Sequence, residues 1–243
     1  MGTQSGICEI KNNKAMQAKQ LKSALILGAS GLVGKSLLEV ILLKGDYTEV
    51  KVVLRRHINL KYDKKVKIIV ITDFEALDSH AEDLFADDVF CCIGSTMKKA
   101  GSKSSFEKSD LVYPLKIATI NQSNPNFKNY LIITAQGANE KSLFYYNQVK
   151  GRCEQSLLAL KLPGLKVFRP SLLLGVRIEK RWGEFFFKFL IQSVSIPLKV
   201  LGIPTFWTIN ASTVANAMLK IAMNEKKHTA FYDAKSMIQL TQQ

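Results

Sequence analysis

The sequence predicts an α/β domain built on a doubly wound parallel sheet. Apolar runs of strand length alternate with segments of helical periodicity along most of the chain, as in consecutive right-handed βαβ units. Several of these runs are continuous in Val, Ile and Leu, which is typical of strands that helices cover on both faces. The chain has 243 residues, 47% of them hydrophobic, and this is enough for one such core.

Six strands and six helical segments are predicted in chain order. The strands fall at residues 23–28, 49–54, 66–71, 88–93, 129–134 and 165–169. The helices fall at residues 32–44, 75–85 (short or broken), 105–122, 145–160, 182–192 and 211–223. Gly45 ends the first helix. Pro114 lies inside the third helical pattern, so we expect a kink or a late start there.

Both ends of the chain depart from this alternation. Residues 1–20 are polar and predict a poorly ordered N-terminal extension, which leaves residues 21–243 as a single domain. After Pro170 the pattern loosens into short segments broken by proline. Because ligands of a doubly wound sheet bind outside the carboxyl ends of its strands, this irregular part predicts a small C-terminal substrate lobe within the same domain.

The turn between the first strand and the first helix predicts a phosphate-binding site. Its sequence is Gly28-Ala29-Ser30-Gly31-Leu32-Val33-Gly34. Gly28 allows the tight turn, Gly31 lets a pyrophosphate approach the backbone, and Gly34 lets the helix pack close to the strand. Such a turn directs backbone N–H groups and a helix N-terminus at a phosphate. A tight turn without a ligand is the alternative interpretation. The GxxGxxG spacing resembles that of short-chain dehydrogenases/reductases, and it predicts a Rossmann-type NAD(P)-binding domain.

The second predicted strand ends in Arg55 and Arg56. An NAD enzyme carries an acidic residue about twenty residues beyond the glycine turn, where it binds the ribose 2′-hydroxyl. This chain has no acid there, and two guanidinium groups suit a 2′-phosphate instead. The sequence therefore favours NADP(H) over NAD(H). The alternative is a pair of exposed arginines at a strand end.

Tyr146 and Lys150 are four residues apart on a predicted helix and share one face. A nearby ammonium group favours the phenolate and lowers the pKa of a tyrosine. Tyr146 is therefore the predicted general acid/base, and Lys150 is also predicted to hold the nicotinamide ribose. Tyr145 is a rival, but the residue four positions after it is Val149. A surface Tyr/Lys pair is the alternative interpretation.

The residue that would polarise a substrate carbonyl is less well defined. Short-chain dehydrogenases usually have a serine after the fifth strand. Here that strand ends at Thr134 and is followed by Ala135, so Thr134 is the nearest candidate. Ser142 is a weaker candidate, since it can simply cap a helix. If position 135 is the one that matters, a catalytic hydrogen bond is missing.

Composition limits the remaining function classes. The net charge is +14, but the lysines are spread along the chain and their dense patches contain no interleaved aromatic residues, so no nucleic-acid site is predicted. The four cysteines form no metal-binding spacing. No secretory signal and no apolar stretch long enough to span a bilayer are found. We therefore expect a soluble cytoplasmic protein without a transmembrane segment.

Five segments together resemble one branch of the atypical short-chain dehydrogenases, the Tat-interacting oxidoreductase-like (CC3) family. They are residues 23–34 (SALILGASGLVG), 52–56 (VVLRR), 90–96 (FCCIGST), 146–151 (YNQVKG) and 167–174 (VFRPSLLL). The paired cysteines before the IGST turn are more specific than the general superfamily motifs. The resemblance covers roughly residues 20–235.

The resemblance implies NADPH binding and a role for particular residues. Those expected near the phosphates are Ser30, Gly31, Leu32, Val33, Arg55 and Arg56. Those expected near the ribose and the nicotinamide are Ile93, Gly94, Leu173 and Arg181. Tyr146 and Lys150 are the implied catalytic pair.

Together, these features predict an NADPH-dependent oxidoreductase that reduces a small-molecule carbonyl substrate. The alternative is an NADPH-binding regulatory protein with little turnover, whose cofactor state alters contact with a protein partner. Ala135 favours the regulatory protein, and the Tyr146/Lys150 pair favours the enzyme.

Overall fold

Seven parallel strands form one sheet in the computed structural model of the chain, which describes residues 22–56, 63–174, 208–224 and 228–242. In chain order the strands are β1 (Lys22–Leu27), β2 (Tyr47–Leu54), β3 (Val66–Val70), β4 (Asp88–Cys91), β5 (Asn129–Ile133) and β6 (Leu165–Arg169). Two short strands, β7 (Leu172–Leu174) and β8 (Thr208–Asn210), pair with each other, and β9 (Ala230–Asp233) completes the main sheet. The strand order is β3-β2-β1-β4-β5-β6-β9, the Rossmann order with its reversal between β1 and β4.

Helices connect these strands. The longer ones are α1 (Leu32–Lys44), α4 (Tyr113–Gln122), α5 (Tyr145–Ala159), α6 (Ala211–Met223) and α7 (Ala234–Gln242). Between β4 and α4 lie α2 (Met97–Ala100), α3 (Lys103–Glu107) and a π-helical turn (Lys108–Val112). Between β3 and β4 lie two 3-10 helices (Phe74–His80 and Glu82–Leu84).

The sheet has an apolar core on each face, and β1 contributes to both. Ala24 and Ile26 belong to the core that contains the buried sides of α1 and α6. Leu25 and Leu27 belong to the opposite core, with the buried sides of α4 and α5. Successive side chains of a strand point to opposite faces. A continuous apolar run is therefore what a central strand of this sheet requires.

The predicted fold class and all six predicted strands are confirmed within a few residues at their ends. Segment 75–85 is broken into the two 3-10 helices, and segment 105–122 is interrupted by the π-helical turn just before Pro114. Sequence reasoning missed the short elements α2, α7, β7, β8 and β9. The predicted extension 1–20 and the helix 182–192 lie outside the described residues.

A buried polar cluster holds the amino-terminal edge of the sheet together. The carboxylate of Asp88, which is fully buried, accepts hydrogen bonds from Tyr47 Oη and Asn129 Nδ2, both at 2.7 Å. The ammonium group of Lys22 lies 3.2 Å from Asp88 Oδ2. Burial and the neighbouring Asp88 charge raise the pKa of Tyr47 well above its ordinary value. The cluster joins β1, β2, β4 and β5 at the edge opposite their carboxyl ends.

We expect Asp88→Ala to lower the free energy of unfolding by about 3–5 kcal/mol, because it leaves a mostly buried ammonium group and two donors without their partner. Urea denaturation followed by circular dichroism measures this loss. The matched control is Asp83→Ala, which removes a half-exposed partner of Lys67 and should cost at most about 1 kcal/mol. Equal effects of the two variants would contradict the structural role of the cluster.

Candidate functional site

The glycine turn after β1 lies directly against the end of β4. Gly28 has a φ of +83°, in the left-handed region that favours glycine. A Cβ atom at this position would lie 2.6 Å from the carbonyl oxygen of Cys92 and 2.8 Å from the backbone nitrogen of Ile93. Any side chain would push these two segments apart. Gly28 is therefore required both by the backbone conformation and by the close approach of β4.

Gly31 and Gly34 shape the N-terminus of α1. A Cβ atom on Gly34 would lie 2.1 Å from the carbonyl oxygen of Gly28, so only glycine lets the helix begin this close to the turn. Gly31 is the N-cap residue, and no side chain among the described residues caps the helix. The first N–H groups of a helix, here those of Leu32 and Val33, have no partner within the helix. The turn, residues 28–34, is therefore a candidate phosphate cradle, with Ser30 exposed at its tip.

Arg55 and Arg56 follow β2 and are both exposed. Strand β2 pairs with β1 up to Leu27, so the two arginines lie beside the glycine turn at the same edge of the sheet. Within the described residues neither guanidinium group has an ion-pair partner. The two guanidinium groups are therefore candidates for binding an anionic group at this edge.

Gly94 links the glycine turn to the predicted catalytic helix. It follows Ile93, which contacts Gly28. A Cβ atom on Gly94 would lie 3.3 Å from Asp110 Oδ1 and 3.5 Å from Lys150 Nζ. Residues that are far apart in the sequence thus line one continuous path along the carboxyl edge of the sheet, from the phosphate cradle to Lys150.

Asp110 and Lys150 form a buried ion pair that sequence reasoning missed. Lys150 Nζ lies 2.7 Å from Asp110 Oδ1, and both side chains are at most 5% exposed. The other carboxylate oxygen accepts hydrogen bonds from the backbone N–H of Ser95 at 2.8 Å and from Ser109 Oγ at 2.5 Å. Asp110 lies in the π-helical turn, a rare conformation often found at functional sites. A single acidic residue in an amphipathic pattern carries no sequence signal for such a contact.

The ion pair changes the expected electrostatics of Tyr146. Burial raises the pKa of Tyr146, Lys150 lowers it, and Asp110 raises it again, so the net pKa is above the ordinary value. The prediction that Lys150 depresses this pKa overall is therefore wrong, because burial and Asp110 together outweigh the ammonium group. Burial alone would lower the pKa of Lys150, but Asp110 and Tyr146 raise it above its ordinary value.

The two adjacent tyrosines have different surroundings. The ring of Tyr146 packs against Phe106 with a centroid distance of 5.5 Å. The charges of Lys150 and Asp110 both affect the pKa of the Tyr146 hydroxyl. Tyr145 instead interacts with Glu107, and Lys103 Nζ lies 4.9 Å above its ring. The structure brings Tyr146, and not Tyr145, to the Lys150 ion pair.

The hydroxyl of Thr134 is part of a second buried hydrogen-bond network. Its hydroxyl donates to Glu154 Oε1 at 2.6 Å, and Glu154 is 1% exposed. Glu154 also accepts from Arg169 Nε at 3.0 Å and Nη2 at 2.5 Å. These bonds tie the ends of β5 and β6 to α5. The catalytic role predicted for Thr134 therefore requires that its bond to Glu154 open when substrate binds.

Ser171 provides a further hydroxyl near the end of β5. The backbone N–H of Gln136 donates to the carbonyl oxygen of Pro170 at 3.0 Å, which places Ser171 beside the loop that begins with Ala135. Ser171 Oγ is buried and has no hydrogen-bonding partner among the described residues. Ser142 Oγ accepts from the N–H of Phe144 at 3.2 Å, which is consistent with a local structural role.

The remaining predicted site residues are Leu173 and Arg181. Leu173 lies on β7 and is partly buried against the core that contains α1 and α6. Arg181 lies outside the described residues.

Cys91, Cys92 and Cys153 are free thiols. Burial raises the pKa of Cys91 to about 11 and that of Cys153 to about 12.

No family model matches the chain. The chain is nevertheless similar in sequence to individual proteins. The chain is 39% identical to protein HTATIP2 of Rattus norvegicus over 168 residues, which covers 68% of this chain and 69% of that protein. It is 29% identical to protein FMP52-1, mitochondrial, of Scheffersomyces stipitis over 232 residues, covering 90% of this chain and 98% of the relative.

Solved structures of similar shape share the fold. The Bordetella bronchiseptica enzyme WbmF in complex with NAD+ superposes with a TM-score of 0.64 at 18% identity, covering 91% of this chain and 76% of that one. The ADP-L-glycero-D-manno-heptose-6-epimerase of Helicobacter pylori gives a TM-score of 0.64 at 16% identity, covering 91% of this chain and 82% of that one.

The comparisons also correct one prediction. The cytoplasmic location is contradicted, because several yeast relatives are named mitochondrial proteins. In the part of the chain that is described, no helix is both long and apolar enough to cross a membrane.

Rat HTATIP2, at 39% identity, is covered over more than two thirds of its length. The chain therefore belongs to the Tat-interacting oxidoreductase-like (CC3, HTATIP2) family of atypical short-chain dehydrogenases.

Proposed function

We propose that this chain is an NADPH-dependent oxidoreductase that reduces a carbonyl group of a small molecule. The observation that carries the proposal is the continuous path at the carboxyl edge of the sheet. It runs from the uncapped N-terminus of α1, past Gly28 and Gly94, to Lys150 and Tyr146. A dinucleotide has a phosphate at one end and a reactive ring at the other, and this path offers a matching group for each.

The residues of the path fit a nicotinamide dinucleotide. The α1 N-terminus with Ser30, Gly31, Leu32 and Val33 would hold the pyrophosphate. Ile93 and Gly94 would lie along the ribose, and Lys150 would donate to its hydroxyls. Leu173 would lie near the nicotinamide end; Arg181, for which the family resemblance implies the same role, lies outside the described residues. When bound, the reduced nicotinamide supplies a hydride to the carbonyl carbon of the substrate.

Tyr146 would supply the proton. Its pKa is raised, so its hydroxyl is protonated at neutral pH and can donate to the carbonyl oxygen as the carbon is reduced. The O–H bond of Tyr146 breaks and an O–H bond of the product alcohol forms. The phenolate that remains is stabilised by the ammonium group of Lys150, until the proton is replaced from solvent.

The preference for NADPH rests on Arg55 and Arg56. Both guanidinium groups are exposed beside the glycine turn, and no described acidic residue pairs with them. An arginine pair at this position matches a 2′-phosphate better than a 2′-hydroxyl.

We expect Arg55→Asp to weaken NADPH binding at least about tenfold, or about 1.4 kcal/mol, because it replaces attraction to the 2′-phosphate by repulsion. Calorimetric titration with NADPH and NADH measures the effect. Lys64→Asp makes a similar change of charge at an exposed position before β3, at the opposite edge, and should leave binding unchanged. Equal or tighter binding of NADH by the wild-type protein would refute the NADPH preference.

We expect Tyr146→Phe to bind NADPH normally and to lose carbonyl reduction by about a hundredfold or more, because the proton donor is removed while the ring is retained. Tyr145→Phe is the matched control and should change turnover little, since Tyr145 faces Glu107. Turnover is measured with a substrate found in a carbonyl-compound screen. Full activity of Tyr146→Phe would show that another group is the acid.

Three hydroxyl variants test what polarises the carbonyl. Ala135→Ser is expected to raise turnover if the site lacks a donor there, by up to about a hundredfold. Thr134→Val should lower the free energy of unfolding by about 1–3 kcal/mol, because Glu154 loses a donor. A large additional loss of turnover would identify Thr134 as the donor to substrate.

Ser171→Ala tests the remaining hydroxyl. It should hardly affect stability, since Oγ has no described partner. If neither Thr134→Val nor Ser171→Ala lowers turnover, the hydrogen bond to the substrate comes from the backbone or from a residue outside the described ranges.

A regulatory protein with little turnover is the second candidate function. It is favoured by Ala135 and by the bond that engages Thr134 with Glu154. In this case NADPH would bind tightly, and its presence would change affinity for a protein partner. Tight NADPH binding without reduction of any compound in a broad carbonyl panel would favour this function over the enzyme.

A further inference from the structure

The loop that leads from β5 into α5 ends in two large apolar side chains that extend into solvent. Leu143 is 96% exposed, and Phe144, the N-cap residue of α5, is 60% exposed. A single exposed apolar side chain is ordinary at a protein surface, but two neighbouring ones at the end of a loop indicate an interaction surface. The loop ends two residues before Tyr146, so this surface lies on the side of the molecule that carries the candidate site.

Hydrogen bonds and close packing hold this loop against α5. The backbone N–H of Asn139 donates to the carbonyl oxygen of Asn147 at 3.1 Å, and the side-chain amide of Gln148 donates to the carbonyl oxygen of Ser142 at 2.6 Å. A Cβ atom on Gly151 would lie 2.2 Å from the loop backbone. The two apolar side chains are therefore held in a fixed position, which reduces the entropy that binding costs.

Ammonium groups accompany the two apolar side chains. Lys141 is exposed in the same loop. Lys103 is also exposed, and its Nζ lies 4.9 Å from the centroid of the Tyr145 ring, which follows directly after Phe144. Lys99, four residues before Lys103, is exposed as well. Within the described residues none of these three lysines forms an ion pair.

The acidic residues of this region do not cancel the positive charge. Glu107 interacts with Tyr145, but its carboxylate is paired with Arg152. Glu140 is the one acidic residue of the loop between positions 135 and 144. One exposed carboxylate is thus set against three exposed ammonium groups, in a chain whose net charge is +14.

We propose that Leu143 and Phe144, with the lysines beside them, dock the protein on an anionic phospholipid surface. Apolar side chains enter the boundary between the headgroups and the acyl chains, and ammonium groups are attracted to the anionic headgroups. A stable interface between two proteins buries about 800 Å² on each partner, over about twenty residues or more. Two protruding side chains are too few for such an interface, so their number and the surrounding charge favour a lipid surface over a second copy of the chain. The inference is independent of the proposed function, because docking requires neither cofactor nor substrate.

Cosedimentation of the full chain with lipid vesicles tests the proposal. The wild-type protein should bind vesicles of phosphatidylcholine and phosphatidylserine several-fold more tightly than vesicles of phosphatidylcholine alone, and this binding should weaken as salt is added. The double substitution Leu143→Ser and Phe144→Ser should weaken binding to the phosphatidylserine vesicles by about tenfold or more, because it removes both apolar side chains and retains every charge.

The matched control is Leu43→Ser. Leu43 is 82% exposed and precedes Lys44 at the end of α1, at the amino edge of the sheet. The control thus removes another exposed leucine beside a lysine, and it should bind the vesicles as the wild type does. All three proteins should have the same melting temperature, because the substituted side chains lie in solvent. Unchanged binding of the double variant would assign the attraction to the overall charge of the chain and overturn the proposal, as would a wild-type protein that does not bind the phosphatidylserine vesicles.

Light scattering after size-exclusion chromatography distinguishes the lipid surface from a second copy of the chain. We expect the same mass for the wild type and the double variant, together with loss of vesicle binding in the variant. A wild-type dimer that the double substitution dissociates would show that a second copy covers Leu143 and Phe144, and this result would overturn the proposal.

Discussion

The contact between Gly28 and the backbone of Cys92 and Ile93 is the constraint on which the rest of the site depends. A Cβ atom at Gly28 would lie 2.6 Å from the Cys92 carbonyl oxygen, so a side chain would force the glycine turn away from the end of β4. The same contact places Ile93, and after it Gly94, between the N-terminus of α1 and the buried Lys150. The candidate phosphate cradle and Lys150 therefore lie on one continuous surface, because two backbone segments touch with no side chain between them.

Buried charge is used differently at the two edges of the sheet. At the amino edge, Asp88 is surrounded by Lys22, Tyr47 and Asn129, and these partners join four strands. At the carboxyl edge, the carboxylates of Asp110 and Glu154 each neutralise one cation. A buried ion pair is a poor source of stability, since desolvation offsets most of its attraction. At the carboxyl edge, Asp110 instead fixes the position of the Lys150 side chain, and Glu154 fixes that of Thr134.

These two pairs also show why a motif does not determine its own chemistry. The spacing of Tyr146 and Lys150 puts both residues on one face of α5, and on that basis the lysine should lower the tyrosine pKa. The net effect is the opposite, because burial and Asp110 raise that pKa. Thr134 likewise lies where the sequence predicts a substrate contact, but its hydroxyl donates to Glu154 at 2.6 Å. In both cases an acidic residue from elsewhere in the chain changes what the motif residue can do.

The sequence by itself determined the parallel sheet, the six strands, the helices at 32–44 and 211–223, the glycine turn and the face that Tyr146 shares with Lys150. All of these depend on local periodicity, on glycine at short spacing or on the geometry of one helix turn. The sequence did not predict short elements such as β7 and α2, because three or four residues show too little periodicity. Only the tertiary structure decided that Asp110 neutralises Lys150 and that Glu154 engages Thr134. Such pairs form between distant segments, and their strength depends on burial and on the exact approach of two side chains, neither of which the order of residues along a single chain displays.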